Sequence, residues 1–325
     1  MPPMPLPNIA AALPRIAAER PDQVAIRCPG GRRRDGGVDY PHALTYAMLD
    51  RRSDCIAAGL VDAGIARGTR CALMVRPSPE LFLLMFALFK AGIVPVLVDP
   101  GIDRRALAQC LDEARPQAFI GIPLAQLARV VLGWARGSVR QVVTVGRRGP
   151  WGGHTLAAVE ARGARLLDAG AGTFAADSAG DDMAAILFTS GSTGVPKGVV
   201  YRHRHFVAQL ELLREAFSIE AGGVDLPTFP PFALFDPALG LTSIIPAMDP
   251  TRPARADPRK LLQAIEEFGV TQMFGSPALL DTLGRYGEAH GIRLRSLRRV
   301  TSAGAPVAPA VVARKQRMLP ADAAI

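Results

Sequence analysis

A run of hydroxyl and glycine residues in the middle of the chain carries the clearest chemical signal. The run and the cation that follows it consist of Thr189, Ser190, Gly191, Ser192, Thr193, Gly194 and Lys197. Glycine lets backbone N–H groups turn toward an anion, and Ser and Thr hydroxyls add donors. Lys197 adds a mobile positive charge suited to phosphate. The run therefore predicts a phosphate-binding loop, in which Lys197 has a supporting role in binding phosphate and is not itself the catalytic residue.

The spacing of this run excludes a Walker loop. That motif places a Gly-Lys pair five residues after its first glycine, whereas Pro196 stands five residues after Gly191. A flexible Ser/Gly linker is also a poor description, because an apolar segment at 183–188 precedes the run and Val199, Val200 and Tyr201 follow it. The flanking pattern instead predicts a structured loop that follows a strand.

The same run resembles the signature loop of the AMP-forming acyl-adenylating enzymes, which include acyl-CoA synthetases, luciferases and peptide-synthetase adenylation domains. Residues 43–49 and 88–100 are similar to two earlier motifs of that superfamily. A later loop is similar to the one on which the family seats adenine, and its residues are Ser302, Ala303, Gly304, Ala305 and Pro306. The resemblance implies ATP and Mg²⁺ as cofactors.

Three shorter segments, residues 76–80, 98–103 and 229–237, resemble the olefin β-lactone synthetases. Those enzymes close a β-hydroxy fatty acid into a β-lactone through an acyl-adenylate. The resemblance implies a fatty or β-hydroxy fatty acid substrate, and other enzymes of the same pathway as candidate partners. A fatty-acyl-CoA ligase that forms a thioester is the alternative, and an inactive remnant is a third interpretation.

Several single residues have two interpretations at this stage. Phe232 and Phe235 either line a tunnel for the acyl chain or pack in the core. His203 stands where the family often keeps a histidine, and it is expected to orient a helix start rather than to transfer a proton. Asp236 either meets a polar group of the substrate or forms a turn with Pro237, and the turn is favoured.

The chain ends where the family's Tyr-Gly-x-Thr-Glu segment should begin. The resemblance places the Mg²⁺ carboxylate in that segment, and the ribose-binding aspartate and the catalytic lysine of a mobile C-terminal domain further on. We therefore expect residues 1–325 to be an incomplete N-terminal domain that lacks the C-terminal domain and is inactive alone, because stabilisation of departing pyrophosphate needs those groups.

Composition limits the class of protein. The net charge of +9 comes almost wholly from scattered arginines with few aromatic neighbours, which argues against a nucleic-acid-binding protein. The four cysteines lie far apart, so they are predicted to be reduced and mostly buried, with no metal site. Residues 81–98 are interrupted by Lys90 and Pro95 and so do not form a membrane span. No signal peptide is evident, and a cytoplasmic location is expected.

Alternating helix and strand patterns predict an α/β fold of two subdomains with largely parallel sheets, at residues 1–180 and 181–325. Residues 146–181, rich in Gly and Ala, are predicted to form a loop-heavy connector. Phe188 and Val300 end predicted strands just before the two loops, which predicts that both loops lie on one rim of a sheet.

The predicted helices are 53–63, 80–90, 104–114, 205–217, 258–268 and 277–286. The further predicted strands are 24–27, 69–75, 94–98, 118–120, 141–145, 225–228, 241–245, 272–274 and 299–302.

Overall fold

A computed structural model describes residues 6–98, 101–170, 172–174, 178–189 and 196–325 of the chain. It is an α/β fold whose sheets are mostly parallel, as predicted. In chain order the strands of the described residues are β1 (Val24–Cys28), β2 (Gly31–Arg32), β3 (Val38–Asp39), β4 (His42–Thr45), β5 (Arg70–Met74), β6 (Val94–Val98), β7 (Ala118–Gly121), β8 (Gln141–Thr144), β9 (His154–Thr155), β10 (Met183–Thr189), β11 (Lys197–Arg202), β12 (Val224–Pro227), β13 (Thr242–Ile244), β14 (Gln272–Phe274) and β15 (Arg299–Thr301).

Most helices begin at a proline or a capping side chain, as their sequences favour. The α-helices of the described residues are α1 (Leu13–Glu19), α2 (Tyr46–Asp62), α3 (Pro79–Lys90), α4 (Arg104–Ala114), α5 (Pro123–Leu132), α6 (Leu156–Ala169), α7 (His203–Ala216), α8 (Asp236–Leu239), α9 (Pro258–Glu267), α10 (Pro277–Ala289) and α11 (Pro309–Gln316). Asp103 and Ser276 accept backbone N–H bonds at the starts of α4 and α10. Such caps satisfy N–H groups that have no partner within the helix.

The prediction of a loop-heavy connector at 146–181 is wrong, because α6 occupies much of it. Thr155 caps this helix by accepting the N–H of Ala158. A Cβ at Gly163 would lie 1.7 Å from the carbonyl oxygen of Cys55, and one at Gly59 would lie 2.0 Å from that of Val159. The glycines thus allow the backbones of α2 and α6 to come into contact. The loop was predicted from the Gly and Ala content of this segment, which here serves helix packing.

The chain divides into two compact units. The first comprises Met1–Glu19 and Ala47–Leu212, and the second Arg20–Tyr46 and Leu213–Ile325. This division differs from the predicted one at residue 180, and it assigns β1 and β4 to the second unit. The pairing explains the difference: β1 runs parallel to β13, so this early segment is built into the later sheet.

The first unit contains a seven-stranded sheet in the order β11-β10-β6-β5-β7-β8-β9. Its strands run parallel except for β11, which is antiparallel to β10. The second unit contains a six-stranded sheet in the order β15-β14-β12-β13-β1-β4, where only β4 runs antiparallel to its neighbour. Strands β2 and β3 form a small antiparallel hairpin.

Helix α3 ends at Lys90 and a strand begins at Val94, so residues 81–98 form the helix, glycine stop and strand that the sequence predicted. Gly92 has φ +63°, which favours glycine at that stop. Among the described residues, no helix is long and apolar enough to cross a bilayer.

Candidate functional site

The predicted phosphate loop joins β10 to β11. These strands pair antiparallel, and Thr189 lies opposite Lys197 at the end of the ladder. Lys197, the first residue of β11, is exposed. The strand before the loop confirms the prediction, whereas β11 after it was not predicted. The predicted contacts of Ser190, Gly191, Ser192, Thr193 and Gly194 lie outside the described residues.

Packing fixes the base of this loop. Phe188 is buried in a cluster with Val94, Val96 and Ile186 between β10 and β6. A Cβ at Gly198 would lie 2.9 Å from the Phe188 ring, so the glycine leaves space for the aromatic side chain across the hairpin. The apolar strand before the loop and the glycine after Lys197 thus hold the two ends of the hairpin in register.

The predicted adenine loop follows β15 in the second unit. Ala303, Gly304, Ala305 and Pro306 are exposed, and Gly304 has φ +94°, a backbone conformation that favours glycine. The Ser302 hydroxyl is buried and has no hydrogen-bond partner among the described residues. A hydroxyl without a partner and an exposed small-residue loop fit a planar polar ring such as adenine.

The prediction that both loops lie on one rim of one sheet is wrong. The phosphate loop follows β10 of the seven-stranded sheet, and the adenine loop follows β15 of the six-stranded sheet. Each follows the carboxyl end of a strand, as predicted, but the sequence gives no sign of which sheet a strand joins. Sheet membership depends on pairing between distant segments, such as β1 with β13.

Phe232 belongs to an aromatic cluster at the carboxyl ends of β12 and β14. Its ring lies edge-on to Phe274, with centroids 4.7 Å apart, and to Phe229, with centroids 5.1 Å apart. The Thr228 hydroxyl donates to the carbonyl oxygen of Phe274 at 2.8 Å and ties these two strand ends together. Phe232 is 40% exposed, so it is not an ordinary core residue.

Phe235 is half-buried and directly precedes α8. Because β12, β14 and β15 are adjacent and parallel, the aromatic cluster and the start of the adenine loop share one edge of the six-stranded sheet. Phe274 and Thr228, which also lie at this edge, were not predicted as site residues. Their signal was available, since both stand at the carboxyl ends of predicted strands, where ligands of parallel sheets bind.

Asp236 does more than form the turn favoured by the sequence. It begins α8, is buried, and accepts a hydrogen bond from the Ser243 hydroxyl at 2.6 Å. Its carboxyl also hydrogen-bonds that of Asp225 on β12, which is buried as well. Burial raises the pKa of Asp236 to about 7 and raises that of Asp225 well above its usual value. The two carboxyls therefore share a proton near neutral pH.

His203 is the first residue of α7, and its ring is edge-on to Phe89. The ring is buried, and neither nitrogen has a hydrogen-bond partner among the described residues. Burial lowers the pKa of His203, although Asp182 opposes the shift. The backbone N–H of Arg202 at this helix start donates to Nδ1 of His205 instead. The orienting role of His203 therefore stays a prediction.

Cys28, Cys55, Cys71 and Cys110 are all buried, as predicted. Burial raises the pKa of Cys71 to about 12, so this thiol does not ionise near neutral pH. Within the described parts of the chain, no group of three or more His, Cys, Asp or Glu side chains could hold a metal ion.

The chain is similar to known proteins over nearly its whole length. A family model described as AMP-binding enzyme matches residues 13–325. An olefin beta-lactone synthetase of Xanthomonas campestris pv. campestris is 70% identical over 97% of this chain, and the match covers 55% of that protein. An olefin beta-lactone synthetase of Stenotrophomonas maltophilia is 67% identical over 97% of the chain and is covered to 56%. The chain thus spans about half the length of these curated relatives.

Solved structures share the fold at low sequence identity. A long-chain-fatty-acid-CoA ligase from Archaeoglobus fulgidus superposes with a TM-score of 0.79 at 18% identity, over 96% of this chain and 60% of that one. An amide bond synthetase from Marinactinospora thermotolerans gives a TM-score of 0.74 at 24% identity, over 96% of this chain and 58% of that one. These likenesses concern the fold alone.

Proposed function

The chain belongs to the AMP-binding enzyme family, and from that premise we propose that it forms the nucleotide-binding part of an olefin beta-lactone synthetase. The whole protein would activate a β-hydroxy fatty acid with ATP, releasing pyrophosphate and forming an acyl-adenylate. The hydroxyl of the substrate would then attack the activated carbonyl and close a β-lactone, with AMP as the leaving group. The observation that carries the proposal is the hydroxyl and glycine run held between β10 and β11 and followed by Lys197.

Each candidate residue has a role in this proposal. The backbone and hydroxyls of Thr189, Ser190, Gly191, Ser192, Thr193 and Gly194 would bind the phosphates of ATP, and Lys197 would neutralise part of their charge. The loop from Ser302 to Pro306 would hold the adenine. The aromatic cluster at Phe232 would contact the acyl chain, because its rings combine partial exposure with apolar surface.

An acyl-CoA ligase is the second candidate, since the long-chain-fatty-acid-CoA ligase from Archaeoglobus fulgidus has the same fold. Both reactions pass through an acyl-adenylate and differ in the group that attacks it. The 70% and 67% identities are to olefin beta-lactone synthetases, which supports intramolecular attack by the substrate hydroxyl. Dependence of turnover on coenzyme A distinguishes the two.

Replacement of Lys197 tests the proposed phosphate site. In a protein that carries this chain at the full length of its relatives, Lys197→Ala should lower ATP-dependent pyrophosphate release at least tenfold. A charged hydrogen bond contributes roughly 1.5–3 kcal/mol, and loss of one such bond accounts for that change. Lys260→Ala on α9 is the matched control and should leave the rate unchanged. A rate within twofold of the parent for Lys197→Ala would show that Lys197 is an ordinary surface lysine.

A further inference from the structure

Helix α5 exposes the side chains that a helix on a sheet normally buries. Five of its large aliphatic side chains are between 47% and 72% exposed. These are Leu124, Leu127, Val130, Val131 and Leu132. A soluble surface helix usually turns its apolar stripe toward the core and its polar residues outward. An exposed apolar face of this kind marks a contact with another surface.

The buried side of α5 accounts for this orientation. Gln126 is fully buried, and its amide donates to the carbonyl oxygen of Val143 on β8 at 3.0 Å. Ala125 and Ala128 pack against the cluster that contains Phe119. The helix therefore meets the sheet with a hydrogen bond and small side chains. Its exposed leucines and valines do not help to hold α5 on the fold.

The exposed face is surrounded by positive charge. Residues 114–159 contain no Asp or Glu and six arginines. The arginines are Arg115, Arg129, Arg136, Arg140, Arg147 and Arg148. Among the described residues, none of the six takes part in an ion pair. Arg129 donates a hydrogen bond to Gln126 and lies over the Phe119 ring. The other five arginines are exposed, so their positive charge is available to an external anion.

The arginines lie at both ends of the helix. Gly146 lies beside Pro123, the first residue of α5, since a Cβ on that glycine would be 3.8 Å from the proline ring. Exposed Arg147 and Arg148 directly follow Gly146. Exposed Arg136 stands four residues after the last residue of α5. An aliphatic stripe with arginines at both ends is typical of a helix that lies in a membrane interface.

We propose that this face of α5 lies on the surface of an anionic lipid membrane, with the leucines and valines among the acyl chains and the arginines at the headgroups. A second copy of the chain fits less well, because a symmetric contact would bring two sets of free arginines together. The proposal is independent of catalysis, because it concerns α5 and not the loops proposed to bind ATP.

Vesicle binding by a protein that carries this chain at the full length of its relatives tests the proposal. We expect flotation with vesicles of phosphatidylcholine and phosphatidylglycerol at 70:30, at least tenfold weaker binding to phosphatidylcholine alone, and weakening by salt. Leu124→Ser, Leu127→Ser and Val131→Ser together should reduce binding at least tenfold. Leu212→Ser is a matched control, because Leu212 on α7 is 63% exposed, as is Leu124, and it should have no effect.

Charge variants provide the second arm. Arg136→Gln, Arg147→Gln and Arg148→Gln should each weaken binding about fivefold, from the usual contribution of one arginine near an anionic surface. Arg255→Gln, Arg293→Gln and Arg295→Gln, also at exposed arginines, should have little effect. Thermal unfolding checks that every variant folds. Absence of vesicle binding, or equal losses in the controls, would overturn the proposal. So would dimers that the triple serine variant abolishes, since the face would then bind a second copy.

Discussion

At the scale of single residues, the hydrogen-bonded carboxyls of Asp225 and Asp236 couple the fold to pH. Burial raises both pKa values, that of Asp236 to about 7, while a carboxyl in the unfolded chain titrates near its ordinary value of 3.8. Between about pH 4 and pH 7 the folded chain therefore binds more protons than the unfolded chain. This contribution to stability is fully present below the unfolded pKa and is lost as the pH rises through the folded pKa.

Asp236→Asn tests this coupling. The free energy of unfolding of the parent chain should fall between about pH 5 and pH 8, by at most about 1.4 kcal/mol per pH unit for each proton. The variant should show a smaller fall, because an amide keeps hydrogen-bonding capacity toward Ser243 and Asp225 but does not ionise in this range. Urea unfolding at both pH values measures the slope, with Asp22→Asn at an exposed position as the control. An unchanged slope in Asp236→Asn would mean that another group carries the pH dependence.

The candidate phosphate loop could be predicted from sequence, because a run of hydroxyl and glycine residues followed by a lysine is typical of anion-binding loops. Its binding role stays a prediction. The shared proton of Asp225 and Asp236 could not be predicted. It depends on the register of β12 against β13 and on the position of α8, which bring Asp225, Asp236 and Ser243 together. Local sequence indicated only an Asp-Pro turn. Buried Lys315, whose amine has no partner among the described residues, likewise gave no local signal.

At the scale of elements, an ion cluster joins α2 to α3. Lys90 is 6% exposed, and its Nζ lies 2.6 Å from a carboxylate oxygen of Asp50 and 2.6 Å from one of Asp54. It also donates to the backbone carbonyl of Asp50 at 3.0 Å. Burial raises the pKa of Asp54, and Lys90 opposes the shift. Lys90, which belongs to the motif at residues 88–100, is therefore a structural residue.

Lys90→Met should destabilise the first unit by about 3–5 kcal/mol, because it leaves two carboxylates in a buried site without their cation. Adding Asp50→Asn and Asp54→Asn should recover part of that loss, since the uncompensated charge is then removed. Arg51→Met, which breaks an exposed pair with Asp168, should cost less than about 1 kcal/mol. Denaturant unfolding measures all of these variants. Equal effects of Lys90→Met and Arg51→Met would contradict the cluster's role.

Elements with a regular pattern and a clear start were predictable: α4 (Arg104–Ala114), β6 (Val94–Val98) and β14 (Gln272–Phe274) have the predicted bounds. Helices α5 and α6 were missed for different physical reasons. In α6 a glycine allows close contact with α2, and this glycine made the composition of the segment typical of a loop. In α5 the residues that face the sheet are small or polar, so the apolar stripe of the helix does not mark the side that packs on the core.

At the scale of the whole molecule, the two candidate loops belong to two units built on separate sheets. Each loop extends from the carboxyl end of a strand, and each sheet is formed by pairing between segments far apart in sequence. Alternation of helix and strand predicted the fold class, but it could not show that residues 20–46 join the later sheet. That assignment depends on the pairing of β1 with β13, which has no local signature.

We propose that this chain binds the nucleotide in an enzyme that adenylates a β-hydroxy fatty acid and closes a β-lactone. The most direct measurement is pyrophosphate release and product mass in a protein carrying this chain at the relatives' full length. It would be supplied with ATP, magnesium and a long-chain β-hydroxy acid, with and without coenzyme A. We expect pyrophosphate release and a product that is lighter than the acid by one water molecule, both in the absence of coenzyme A. Strict dependence on coenzyme A with a thioester product, or no pyrophosphate with any β-hydroxy acid, would contradict it.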